Sequence, residues 1–198
     1  MAKRAFDVIA SALGLLLLSP LLLCIAVAIK LDSRGPVMFR QERVGRHGNT
    51  FRIHKFRTMT HDPQARGPLI TVGGDARITR VGHWLRAAKL DELPQLLDVL
   101  AGDMSIVGPR PEVPKYVAMY PPALRDKVLS VRPGITDPVS LRFVDESALL
   151  ASAVDPEREY VEVVMPQKLA AAVAYAEHAT LASDLRVIGQ TLRALVTR

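Results

Sequence analysis

The chain has 198 residues, 49% of them hydrophobic, 23% charged and 5% aromatic, which points to one domain with room for an appendage and excludes a disordered chain. Its single cysteine, Cys24, excludes an intramolecular disulfide framework and a cysteine-based zinc site. The formal net charge of +6 is uneven: up to Arg110 there are 16 Lys and Arg against 9 Asp and Glu, so the N-terminal half suits an anionic partner such as lipid headgroups, nucleotides or nucleic acid.

The first element is apolar. Val8 to Ile29 is a run of 22 residues without a charge, and at 1.5 Å per residue a helix of that length is ~33 Å, enough to cross a ~30 Å hydrocarbon core. The run exceeds a signal-peptide core, so it reads as a retained anchor. Ser19-Pro20 lies at its middle, where proline removes a backbone hydrogen bond and forces a kink that the Ser19 hydroxyl partly repairs. Basic residues flank both ends, Lys3 and Arg4 before it and Lys30, Arg34, Arg40, Arg43 and Arg46 after it. A spanning helix would put one cluster on the wrong side under the positive-inside rule, whereas a re-entrant helix-break-helix hairpin keeps both on one face. A Pro-kinked spanning helix is the alternative.

After the Gly35-Pro36 turn, residues 37–41 and 50–56 read as strands of a β-hairpin closed by residues 45–49. The period of two sets Phe51, Ile53, Lys55 and Arg57 on one face, so either two cations extend an apolar face into a site or both lie past the strand end in water. His61 to Ala76 is rich in Gly and Pro and reads as loop, and its Gly73-Gly74 matches no nucleotide-binding fingerprint. Residues 77–89 form an amphipathic helix with Val81, Trp84, Leu85 and Ala88 on one face, Trp84 suiting either core or a membrane interface. A second helix is expected to begin near Leu90-Asp91-Glu92-Leu93-Pro94, with the stripe Leu93, Leu96, Leu97 and Leu100 ending at Gly102. Acids at such a start are ordinarily caps and dipole partners.

Gly108-Pro109-Arg110-Pro111 holds Arg110 on a stiff turn, and Arg132-Pro133-Gly134 repeats the device; rigid arginines suit bidentate phosphate contacts, though such turns also merely connect elements. The tail offers helices at 167–178 and 185–196, the latter capped by Ser183-Asp184. The histidines at 47, 54 and 61 share no face and read as surface residues, not metal ligands.

Lys3-Arg4-x-x-Asp7, Ser19-Pro20, Lys55-Phe56-Arg57-Thr58-Met59, the run Lys89 to Glu112 (KLDELPQLLDVLAGDMSIVGPRPE) and Val131 to Thr136 occur in this order. Together they resemble the bacterial sugar transferases known as monotopic phosphoglycosyl transferases, over about residues 3 to 137. The resemblance implies an α/β (α+β), mostly helical fold. A re-entrant membrane anchor occupies residues 1–34, and a small β-hairpin and interfacial amphipathic helices surround a catalytic domain at 35–198. It implies transfer of a sugar-1-phosphate from a UDP-sugar to a polyprenol phosphate at the cytoplasmic face of the bacterial inner membrane, in an early step of glycoconjugate assembly.

Carried over residue by residue, Asp91 is the nucleophile of a two-step ping-pong reaction that passes through a phosphosugar-aspartyl intermediate and releases UMP. Glu92, with Asp91, holds Mg²⁺, a cation that takes one or two carboxylates and completes its shell with phosphate and water oxygens. Arg110 resembles the nucleotide-contacting arginine, Lys55 and Arg57 match cations near the phosphates, and Arg132 is a further substrate-binding candidate. A helix N-terminus at Asp91 would add its own attraction for phosphate. Ser19 and Pro20 form the break of the re-entrant helix. After Thr136 this chain reads Asp137 to Phe143 (DPVSLRF) where many members have a Gly-Leu-Ala-Gln-type stretch, which leaves the sugar open. Few aromatics, no nucleic-acid motif and an intramembrane run count against nucleic-acid binding. A membrane-anchored scaffold, with Asp91-Glu92 as a mere helix cap, is the competing reading.

Overall fold

The computed structural model describes residues 2–60, 75–139 and 146–196. Among the described residues the chain is mostly helical, with two small two-stranded sheets and a long apolar helix near its N-terminus. The predicted loop as far as residue 74, and residues 140–143 of the segment that follows Thr136, lie outside the described residues.

Helix α1 (Ala2–Asp32) is long and apolar enough to cross a bilayer by length and composition, with mean hydropathy 2.7 over its most apolar window. It runs unbroken through Pro20 instead of forming two separate helices. Proline cannot supply the amide that would bond the Leu16 carbonyl four residues back, and the Ser19 hydroxyl donates to that carbonyl at 2.8 Å instead. Asp7, Ser11, Ile25 and Ile29 are buried, whereas Ile9, Leu13, Leu16, Leu17, Leu23, Val27 and Leu31 are exposed. From Leu16 to Leu21 every residue but Leu18 is exposed, so both arms of the helix lie on the rest of the protein and its middle stands clear.

The N-terminal arm is held by Arg4, whose guanidinium donates to the Val99 and Leu100 carbonyls. Asp7 accepts from the Ser105 hydroxyl at 2.9 Å and the Ile106 amide at 3.2 Å. On the C-terminal arm Ile25 and Ile29 pack with Phe56 and Leu85, each such burial contributing about 1.5–3 kcal/mol.

Strands β1 (Met38–Val44) and β2 (Thr50–Phe56) form the predicted hairpin, in antiparallel register with Phe39 opposite Lys55. β2 has the predicted bounds; β1 runs three residues further than expected, because residues up to Val44 pair across to Thr50. Helix α2 (Arg80–Ala87) is capped by the Thr79 hydroxyl, which accepts from the Gly82 amide. A Cβ on Gly82 would sit 2.1 Å from the Thr58 carbonyl oxygen, so glycine lets α2 close onto the segment after β2. Trp84 is 58% exposed and belongs to the surface, not the core.

The helix expected from Leu90 is a 3₁₀ turn (Leu90–Gln95) followed by α3 (Leu96–Ala101). Strand β3 (Ser105–Val107) pairs in parallel with β4 (Gly134–Thr136), a two-residue ladder too short to be read from sequence. Between them lie α4 (Pro114–Val117) and α5 (Pro122–Val128). The C-terminal part comprises α6 (Glu146–Ala151), α7 (Pro156–Glu159), a π-helical turn (Tyr160–Val164), α8 (Met165–His178) and α9 (Leu181–Val196). Helix α9 starts four residues earlier than expected, because Thr180 and Ser183 cap it reciprocally. Asp184 is therefore not a cap; it is 1% exposed and pairs with Lys3 at 2.5 Å.

Candidate active site

Four segments converge on Asp91 and Glu92: the end of β2 with Lys55, the last turn of α2 with Arg86, the 3₁₀ turn with both acids, and the loop after β3 with Arg110. Lys89 links α2 to the 3₁₀ turn in the left-handed conformation, φ 57°. A lysine there costs of order 1 kcal/mol, a local strain of the kind that gathers at functional sites. It reverses the chain so that the acids face β2.

Glu92 is tied down. Lys55 Nζ donates to Oε1 at 2.8 Å, and the Arg110 guanidinium grips both carboxylate oxygens, with Nη1 at 3.1 Å from Oε2 and Nη2 on Oε1. Burial raises the Glu92 pKa, but Arg110 and Lys55 outweigh it and hold the carboxyl well below the usual range. Arg110 is pushed up in return by the Glu92 charge, while burial pushes Lys55 down.

Asp91 is the opposite case. It is 8% exposed, and among the described residues no hydrogen bond or ion pair reaches its carboxylate. Burial first, and then the Glu92 charge, push its pKa up, against Lys55, Arg86 and Arg110. Neither acid caps a helix: Lys89 occupies the cap position of the 3₁₀ turn and no side chain bonds there. The helix expected here begins as a 3₁₀ turn with both acids in its first turn, and the three side-chain cations add to the attraction for anions.

The loop Gly108-Pro109-Arg110-Pro111 is held by its neighbours as well as by its prolines. The Gly108 amide donates to the Thr136 carbonyl at 3.0 Å and the Gly134 amide to the Pro109 carbonyl at 2.9 Å. A Cβ on Gly134 would fall 2.0 Å from the Gly108 nitrogen, so Gly134 permits this close approach. Arg110 projects from it with 42% of its side chain exposed.

Of the expected site residues, Asp91, Glu92, Lys55 and Arg110 come together. Arg57 and Arg132 do not join them. Arg57 is 4% exposed and donates to the carbonyls of Ile29, Ser33, Arg34 and Pro36 and to the Ser33 hydroxyl, closing the C-terminus of α1. β2 ends at Phe56, so the two-residue alternation that would align Arg57 with Lys55 is lost. Arg132 Nε donates to the Gly102 carbonyl at 2.7 Å, at the end of α3 remote from the acids.

Arg86, expected only as helix charge, is a site residue: its Nε donates to the Thr58 hydroxyl at 2.9 Å and its charge acts on Asp91. Its place one helical turn before Lys89 was the available signal. Asp137, whose charge acts on Arg110, also belongs to the neighbourhood. A separate hollow of about 590 Å³, lined by Val44, His47, Thr50, Arg125 and Leu129, lies at the turn end of the hairpin, away from the acids.

The donor set bears on magnesium. No group of three or more His, Cys, Asp or Glu gathers among the described residues, which by themselves supply too few ligands to hold a metal. A carboxylate pair fits an ion whose shell is completed by phosphate and water oxygens.

Comparison with known proteins follows the same lines. The UDP-glucose:undecaprenyl-phosphate glucose-1-phosphate transferase of Caulobacter vibrioides is 41% identical over 98% of this chain and 70% of its own length. The UDP-N-acetylgalactosamine-undecaprenyl-phosphate N-acetylgalactosaminephosphotransferase of Aeromonas hydrophila is 46% identical over 68% of this chain and 32% of its own. An Escherichia coli UDP-glucose:undecaprenyl-phosphate glucose-1-phosphate transferase is 46% identical over the same share of this chain and 29% of its own. The alignments with the last two proteins thus span under a third of their lengths. A family model described as bacterial sugar transferase matches residues 1–198, and with its acids, cations and apolar helix all inside that match the chain belongs to the bacterial sugar transferase family.

Proposed function

We propose that the protein transfers a sugar-1-phosphate from a UDP-sugar to undecaprenyl phosphate, with Asp91 as the nucleophile. One observation supports the assignment of Asp91: a buried carboxylate that no hydrogen bond or ion pair reaches among the described residues, within the charge field of Lys55, Arg86 and Arg110. The relatives' names supply the donor and acceptor classes.

In the first step an Asp91 oxygen bonds to the β-phosphorus of the donor, and the bond from that phosphorus to the bridging oxygen breaks. UMP leaves with the electron pair, and the sugar phosphate remains on Asp91 as an acyl phosphate. In the second step an oxygen of the polyprenol phosphate bonds to the same phosphorus, and Asp91 leaves with the electrons of its P–O bond. Lys55, Arg86 and Arg110 offset the charge on the diphosphate, which is most of what phosphoryl transfer asks of a protein. Magnesium, held by Glu92 together with donor diphosphate oxygens and water, would supply further charge neutralisation at the phosphates. The ion pairs of Glu92 with Lys55 and Arg110 keep its carboxylate charged and aimed across the site.

A re-entrant anchor accounts for the attachment of α1. Arg4 and Asp7 bond α3 and β3, Asp32 accepts from the Val81 amide at 3.1 Å, and the Leu16 to Leu21 stretch stands clear. A helix held at both ends by one body enters and leaves the bilayer on one side. That side would be the cytoplasmic face, where residues 35–198 meet the acceptor phosphate at headgroup level.

The test is UMP release from a panel of UDP-sugars with Mg²⁺ and undecaprenyl phosphate. Wild type turns over one donor and, without acceptor, retains labelled sugar phosphate on the protein. Asp91→Asn abolishes both, and Glu92→Gln and chelation abolish turnover. Full turnover by folded Asp91→Asn would overturn the assignment and return the acids to a scaffold role.

A further inference from the structure

We infer that the C-terminal helices grip the Arg110 loop at both ends, with Tyr175 and Tyr160 as its positioning residues. The inference rests on the reading of Arg110 as a donor-binding group.

At the leading end the Val107 carbonyl accepts from the Tyr175 hydroxyl at 2.9 Å and from Lys3 Nζ at 3.0 Å. The one Tyr175 hydroxyl proton is shared between that carbonyl and Asp184 Oδ1 at 2.7 Å, and Lys3 also donates to Asp184 Oδ2 at 2.5 Å. One buried carboxylate on α9 thus aims a tyrosine of α8 and a lysine of α1 at one carbonyl, three residues before Arg110. Burial and the Asp184 charge push the Tyr175 pKa up, so the hydroxyl stays a donor through the neutral range.

At the trailing end Arg43 Nη1 donates to the Pro111 carbonyl at 3.1 Å and to Glu112 Oε1 at 3.2 Å. The other Glu112 oxygen accepts from the Tyr160 hydroxyl. Tyr160 opens the π-helical turn and packs on Tyr116, with ring centroids 4.9 Å apart and the planes tilted by 53°. π turns are rare and concentrate at functional sites; this one presents Tyr160 to the Arg110 loop. The middle of the loop is pinned to β4 through Gly108 and Pro109. Both tyrosines come from residues beyond the motifs that carry the family resemblance.

The experiment uses the full chain in detergent or nanodiscs and compares wild type with Tyr175→Phe and Tyr160→Phe, each alone and combined with Arg110→Ala. Phenylalanine removes the hydroxyl and keeps the ring. Two readouts are taken: kcat and KM for the UDP-sugar donor, and hydrogen exchange at the Gly108, Arg110 and Glu112 amides. Each single variant is expected to raise those exchange rates at least threefold and to lower kcat/KM about tenfold, mainly through KM. In the Arg110→Ala background the same change adds no further kinetic loss, because its effect passes through Arg110.

Losses that multiply with that of Arg110→Ala, or exchange rates that stay at wild type, would overturn the inference. Lys127→Ala, which cuts an exposed pair with Glu177 and reaches no loop residue, serves as the control that moves neither readout. If Tyr175→Phe fails to fold, Asp184→Asn probes the same end. If wild type turns over no UDP-sugar, the proposed function falls, and the exchange measurement still decides whether the tyrosines hold the loop.

Discussion

Asp91 and Glu92 are neighbours in sequence with opposite electrostatic fates. Glu92 is paired with two cations, whereas Asp91 is buried without a bond among the described residues. As the proposed nucleophile Asp91 must be ionised to attack, and its pKa is raised. Activity therefore falls on acidification at a pH above the ordinary aspartate value of about 3.9. The kcat/KM profile for UMP release reads this limb, and a flat profile down to pH 4 would contradict it. Arg86 acts on Asp91 from the last turn of α2, and Arg86→Gln is expected to lower kcat/KM about a hundredfold, the scale for removing one group that stabilises developing charge. Single-turnover kinetics of UMP release check it. The dyad, Lys55 and Arg110 were legible through the family resemblance, whereas spacing alone left the acids as a helix cap and Lys55 open. Arg86 was not, because a basic residue on an amphipathic helix looks the same in sequence whether it faces water or a neighbouring turn.

At the scale of elements, the short pieces carry the site and were the hardest to read. Arg57 shows why: one residue past the end of β2 its guanidinium turns to the carbonyls that end α1, orphan groups that every helix C-terminus must satisfy. Arg57→Lys cannot reproduce these bonds, and a loss of about 2 kcal/mol is expected, appearing in thermal unfolding and not in the donor KM of the folded protein. Gly134→Ala is the complementary case. A methyl 2.0 Å from a backbone nitrogen forces β4 off the Arg110 loop. The expected outcome is a drop in kcat/KM well beyond the drop in melting temperature, read by comparing the two in one preparation. The hairpin was legible from alternation and its turn; the β3–β4 ladder was not, since parallel pairing across 29 residues leaves no local pattern.

On the scale of the whole molecule, α1 joins an exposed apolar stripe to one packed on the protein. Leu16 and Leu17 are 70% and 77% exposed at the part of the helix that stands clear. Leu17→Lys is expected to weaken retention in the membrane fraction under carbonate wash while leaving the fold's circular dichroism unchanged. Tags at the N-terminus and C-terminus both report the cytoplasm if the helix re-enters, and a periplasmic N-terminal tag would establish a spanning helix.

By itself the sequence determined the apolar anchor, the hairpin and the acidic pair, because hydropathy, alternation and contiguous motifs are local properties of the chain. It also carried the family resemblance through the order of those motifs. Only the tertiary structure decided that Arg57 closes a helix, that Asp184 is a buried partner of Lys3 instead of a cap, and that Arg86 belongs to the site. The physical reason is common to all three: a charged side chain several bonds long goes wherever burial leaves unpaired groups within its reach, and those groups come from segments distant in sequence.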